Sequence, residues 1–181
     1  MYFASIKGLS DMEHSEQWEA IRQMLFDQWQ KDKSNFEVLI RLASECWLVL
    51  TEWDCCINNE NLVFEKFKNN LIDTCIYGLK HFETKTEFLC VFGYMISLFP
   101  YFFYYGESDG RYSLWEKRGK EMLERAHQNA PNDLLTKVLF LGSTDREREY
   151  RTEKSKLEFL LSELFPGDSA IEQYFKDVLT N

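Results

Sequence analysis

The chain has 181 residues, 45% of them hydrophobic and 16% aromatic, which suits one domain with a full core and excludes a disordered chain. A formal net charge of -9 and a pI near 4.9 set it against nucleic-acid phosphates and anionic lipid headgroups, so a charged partner should be basic. With three Pro and eight Gly, strand-and-turn architecture lacks its punctuation, and the fold is expected to be all-α.

After a short lead, Ser15 to Gln30 carries Trp18, Ile21, Leu25, Phe26 and Trp29 on one stripe and reads as the first helix. Asn35 to Trp53 is apolar almost all round, so this second helix belongs in the interior, where Glu45 and Glu52 are conspicuous. Asn58, Asn59 and Asn61 mark a loop, and Leu62 to His81 reads as a third, amphipathic helix. Thr84 with Glu87 forms a capping-box pattern that opens the fourth helix, and Pro100 limits its regular continuation. Ser113 with Glu116 repeats that pattern at the fifth helix, leaving Tyr104 to Tyr112 as an insert between the two. Asp133 to Leu141, with Asn132 as its expected cap, is a short apolar helix ending at Gly142. Thr144 with Glu147 starts a long charged helix that turns apolar at Leu157, Leu160, Leu161 and Leu164; Pro166 and Gly167 end it. Ser169 with Glu172 begins a last helix to Thr180. The expectation is about eight helices in one compact domain over residues 1–181, with no linker or low-complexity run.

Phe88 to Gly106 has no charged side chain and nearly matches a bilayer span, but Gly93, Ser97, Pro100 and four tyrosines thin its apolar signal, which points to a buried central helix. Met1 to Leu9 is too short and polar for a signal peptide, and five Cys without metal spacing fit buried thiols in a reducing cytoplasm. GxSxG, GxGxxG, GxxxxGK[ST], HExxH and the EF-hand loop are missing, and His14, His81 and His127 fall in separate segments. Neither catalysis, a cofactor nor a metal is expected.

Glu45 and Glu52, seven residues apart, share a helix face with Arg41. That spacing serves acid–base work, a basic partner, or an ion pair with Arg41. The insert joins Tyr104, Tyr105 and Tyr112 to Glu107 and Asp109, the residue types that contact loops use, although a loop can also pack its own tyrosines. The candidate partner-binding set is Glu45, Glu52, Asp54, Tyr104, Tyr105, Glu107, Asp109 and Tyr112. The mixed run Asp145 to Lys156 reads as a solvated helix face.

Gly119, Leu123, Ala126 and Pro131 have the spacing of a second helix in a helical-hairpin repeat, and Leu89, Phe92, Gly93 and Ile96 offer its first helix, with Gly93 at the close approach. This resembles the tetratricopeptide family over roughly 20 residues, without the rest of that signature, and implies a tetratricopeptide-like hairpin bundle that acts as a binding scaffold. The whole chain, with the run Phe92 to Phe103 followed by WEKRGKEMLERA, resembles small acidic all-helical bacterial immunity proteins of the contact-dependent growth inhibition type. That resemblance implies a cytoplasmic protein that blocks the groove of a cognate basic toxin, such as a nuclease, in one-to-one fashion. Two other classes of function stay open: a tetratricopeptide-type adaptor or chaperone holding a peptide in a concave groove, and an α-helical enzyme with a deep pocket of titratable groups. The oligomeric state is not legible in the sequence.

Overall fold

A computed structural model describes residues 3, 6–55, 57–106 and 110–180. Among the described residues there are ten α-helices, two short 3-10 turns and no strand. The helices are α1 (Leu9–His14), α2 (Trp18–Lys31), α3 (Phe36–Thr51), α4 (Phe64–His81), α5 (Thr86–Leu98), α6 (Arg111–Asn129), α7 (Leu134–Gly142), α8 (Glu147–Leu157), α9 (Leu161–Leu164) and α10 (Ala170–Thr180). None of them is long and apolar enough to cross a membrane.

Hydrophobic periodicity decides which face each helix buries. In α2 the stripe Trp18, Ile21, Leu25 and Trp29 is buried, while Phe26 is half-exposed. In α3 every residue from Val38 to Leu50 is buried, as an all-round apolar sequence requires, and the Asn35 side chain caps its start by accepting from the Val38 N–H at 3.2 Å. The stretch from Phe88 begins as the buried core of α5, then breaks at Phe99 into a 3-10 turn over Pro100–Phe103. Phe102 and Phe103 turn inward there and Tyr101 outward.

Consecutive helices pair as hairpins, α3 with α4, α5 with α6 and α7 with α8, the second of these packing most extensively. The α5–α6 crossing is built on two glycines. A Cβ on Gly119 would lie 2.6 Å from Ser97 N, and one on Gly93 would lie 3.0 Å from Leu123 N, so the backbones themselves touch. Large residues then fill the flanks, with Phe92 and Ile96 buried against the Met122, Leu123 and Ala126 side.

The last helix lies across the first helices of all three hairpins. Tyr174 meets Trp47 of α3 with ring centroids 5.2 Å apart, its hydroxyl lies 3.1 Å from that of Tyr94 in α5, and Val178 and Leu179 line one cavity with Val138 and Leu139 of α7. Phe175 stacks on Phe165 and meets Phe3, closing the core over that face. The face a helical-hairpin stack presents to ligands is therefore occupied by the chain's own C-terminal segment.

Several expected starts move by a few residues, for identifiable reasons. Helix α6 begins at Arg111, because Gly110 takes a left-handed conformation (φ 91) and initiates the turn ahead of Ser113. Asp133, not Asn132, caps α7, accepting from the Thr136 N–H at 2.8 Å. Thr84 caps nothing; α5 starts after Lys85, without a side-chain cap. The long charged helix is α8 followed by a 3-10 turn and α9, a tightening that turns both Leu157 and Leu161 inward. Helix α1 lies in the short lead before the first expected helix.

Candidate protein-binding surface

Where α3 ends, Glu52 stops the helix, and its carbonyl accepts from the N–H groups of Cys55 and Ile57 at 3.2 Å each. The turn is held further by Asn59 Nδ2, which donates to the Trp53 carbonyl at 2.7 Å. Trp53 packs edge-on against Phe64 at 5.2 Å, Phe64 reaches Phe102 at 6.1 Å, and Phe102 meets Tyr101 at 4.4 Å. This ladder of rings joins the α3–α4 turn to the 3-10 turn after α5, so two segments distant in sequence share one end of the bundle.

The insert grows from that end. Gly106 (φ 72) and Gly110 (φ 91) flank it in left-handed conformations, and Arg111 Nη1 donates to the Tyr105 carbonyl across its base. Tyr101, Tyr105 and Tyr112 are 44%, 52% and 47% exposed, and Tyr104 is half-buried. The phenols of Tyr101 and Tyr105 are pushed up by partial burial, with Tyr112 and Asp73 respectively adding to the effect. Trp115 buttresses the start of α6, stacked on Phe103 at 6.1 Å with the Arg118 guanidinium 5.1 Å from its ring.

Tyr104, Tyr105 and Tyr112 lie in the insert, Asp54 is exposed in the turn after α3, and Glu52 is half-buried at the end of that helix, where its charge reaches Tyr174 of α10. Glu107 and Asp109 lie outside the described residues. Glu45 does not join these surface groups. It is 1% exposed beside Arg41, which is 2% exposed, with Arg41 Nε 2.9 Å from Glu45 Oε1. The heptad spacing does keep Glu45 and Glu52 on one face, but α3 is covered along most of its length, so only the carboxylate at its last turn emerges. Of the roles the spacing left open for Glu45, the structure shows a buried position beside Arg41.

Sequence reasoning missed three contributors. Tyr101 sits inside the uncharged run, and only the chain direction after Pro100 turns it outward. Glu60 and Glu65 are exposed close to Glu52 and Asp54 in the sequence, and no ion pair forms with any of the four among the described residues. A legible signal existed: between Arg41 and Lys66 the chain has no Lys or Arg at all. Glu52, Asp54 and Glu60, with no basic residue in their own turn, keep this segment's field negative, while Glu65 lies within reach of Lys68.

Elsewhere, burial pushes the thiols of Cys46 and Cys75 up, away from the thiolate form a nucleophile needs, and His81 stacks on Tyr77 at 4.2 Å. Among the described residues no three His, Cys, Asp or Glu side chains gather as a metal site. Compared with known proteins, the chain matches no family model, no curated protein and no solved structure.

Proposed function

We propose that this protein is a one-to-one inhibitor of the immunity type, which covers the active groove of a basic toxin with the end of the bundle formed by the α3–α4 turn and the insert. The observation that carries the reading is the exposure of Tyr101, Tyr105 and Tyr112 on a ring-packed base, together with carboxylates at Glu52 and Asp54 that form no ion pair among the described residues. Rings supply contact area at low entropic cost, and uncompensated carboxylates accelerate encounter with a cationic groove. A net charge of -9 extends that attraction over the whole molecule. The adaptor reading needs an open inner face on the hairpin stack, and the packing of Tyr174 of α10 on Trp47 and Tyr94 weighs against it. The cytoplasm, where a delivered toxin acts, is the compartment this reading assigns.

The test begins with the product of the gene directly upstream, which in an immunity arrangement encodes the toxin. The two proteins, co-expressed and purified, should form a one-to-one complex, and the chain should protect cells from that product. Absence of both complex and protection, with the same face binding an extended peptide instead, would reject inhibition in favour of an adaptor.

A further inference from the structure

Five polar side chains converge where α1, α3 and the start of α10 meet, and all five are buried: Glu13, Arg41, Glu45, Ser169 and Glu172. Arg41 is the hub. Its Nη2 donates to Glu13 Oε1, its Nη1 to Ser169 Oγ at 3.1 Å, and its Nε lies beside Glu45. Glu13 Oε2 accepts the Ala170 N–H at 2.6 Å, so a carboxylate from α1 caps the first turn of α10 across 157 positions of sequence. Glu172 is separately satisfied by Ser169 Oγ at 2.6 Å and the Gly167 N–H at 3.1 Å.

Glu13 and Glu45 thus share one guanidinium. The remaining charged groups near this junction are His14 at the end of α1, Asp168 before α10, and Lys176, which donates to the Gly167 carbonyl at 2.6 Å. Glu13 has an N–H donor on each oxygen and is the natural anion. Glu45 has no well-directed donor on either oxygen among the described residues, and lies in the driest position of the set. A buried carboxyl so placed is held most cheaply as the neutral acid, its proton directed at Glu13.

We propose that the cluster is a proton-operated clasp: with Glu45 neutral it holds α1 and α10 on α3, and as Glu45 gives up its proton the two chain ends loosen together. Burial, opposed in part by Arg41 and reinforced by Glu13, pushes the Glu45 carboxyl up to about 8 from an ordinary value of 4.5. A raised value in the closed state means that opening releases a proton at any pH between the two. The opening constant therefore rises about tenfold per pH unit across that window and levels off above it, the closed form being favoured most at acid pH. The surface uncovered is the one α10 occupies on Trp47 and Tyr94.

Hydrogen–deuterium exchange of the full chain from pH 5.5 to 8.5, corrected for intrinsic amide chemistry, tests this with the α5–α6 hairpin as internal reference. Protection in α1 and α10 should fall about tenfold per pH unit up to near pH 8, relative to that hairpin. Glu45→Gln, which keeps the shape of the neutral acid, should flatten the profile. Glu13→Gln removes the neighbouring carboxylate that reinforces the shift, so the slope should persist over a narrower window that ends at lower pH. A flat wild-type profile, a slope shared equally by α5 and α6, a slope surviving in Glu45→Gln, or a window unchanged in Glu13→Gln overturns the clasp. Should Glu45→Gln fail to fold, the wild-type profile and Glu13→Gln decide the matter.

Discussion

Replacing Gly119 by Ala sets two quantified effects against each other. On propensity alone the change stabilises a helix by about 1 kcal/mol, since Gly loses more backbone freedom on folding than Ala. Against that, the new Cβ would sit 2.6 Å from Ser97 N and 3.0 Å from both Gly93 O and Ser97 Cα. These are backbone atoms of α5, so no rotamer relieves the clash, and α5 must withdraw by about 1 Å to restore ordinary contact, forfeiting a quarter to a half of each dispersion contact along the crossing. Overpacking of this kind costs about 1 to 3 kcal/mol, and immovable partners put it at the upper end. The expected net result is a loss of about 2 kcal/mol, read as a drop of roughly 1 M in the urea midpoint of the helical signal. Gly93→Ala, whose Cβ would meet Leu123 N at 3.0 Å, should cost less than Gly119→Ala. If Gly119→Ala is as stable as the parent, or if the order of the two variants is reversed, the backbone contact does not organise this hairpin.

At the proposed surface, a half-exposed tyrosine leaves roughly 100 Å² for a partner to cover, worth about 2.5 kcal/mol, so Tyr105→Ala or Tyr112→Ala should raise the dissociation rate by up to about 60-fold in surface plasmon resonance. Reversing Glu52 and Asp54, or Glu107 and Asp109, to Lys should instead slow association and weaken its salt dependence, which stopped-flow mixing at two ionic strengths reads directly. Arg41→Met strands the buried Glu13 carboxylate without its cation and should cost about 3 kcal/mol or more, read in urea unfolding at pH 7. The Arg22 guanidinium, through its hydrogen bonds, holds the Glu19 carboxyl down at about 2 from 4.5. Because the folded value is depressed, that stabilisation is complete above 4.5 and lost as pH falls toward 2, so Glu19→Gln should flatten the thermal-stability profile within that acid window.

Much of the fold was legible because it rests on local patterns. Buried Trp18, Ile21, Leu25 and Trp29 repeat the helical period, and the glycines expected at a close approach do meet at the α5–α6 crossing. The fourth capping pair is engaged as its spacing implies, with Glu172 N–H and Ser169 Oγ 3.4 Å apart. What escaped was long-range. Nothing near Glu13 announces that its carboxylate caps a helix 157 residues later, and nothing near Glu45 tells whether its face meets water or α1. A carboxylate's position on a helix fixes its direction, whereas its chemistry depends on what the rest of the chain lays over it. The same distinction separates Tyr101 from Phe102, adjacent in sequence and divided by one 3-10 turn.

Charge pairing explains why one end of the molecule is suited to recognition. On α6 and α8 the acids largely neutralise themselves within the helix, as in Glu116 with Lys120, Glu147 with Arg151 and Glu153 with Lys156, and such exposed pairs contribute little beyond solubility. The α3–α4 turn has no basic residue from which to form them. On the proposed reading its carboxylates keep their field for an external cation, and the ring ladder from Trp53 to Tyr101 ties this turn to the 3-10 turn after α5. The proposed surface thus differs from α6 and α8 in carrying carboxylates that no residue of its own turn can neutralise.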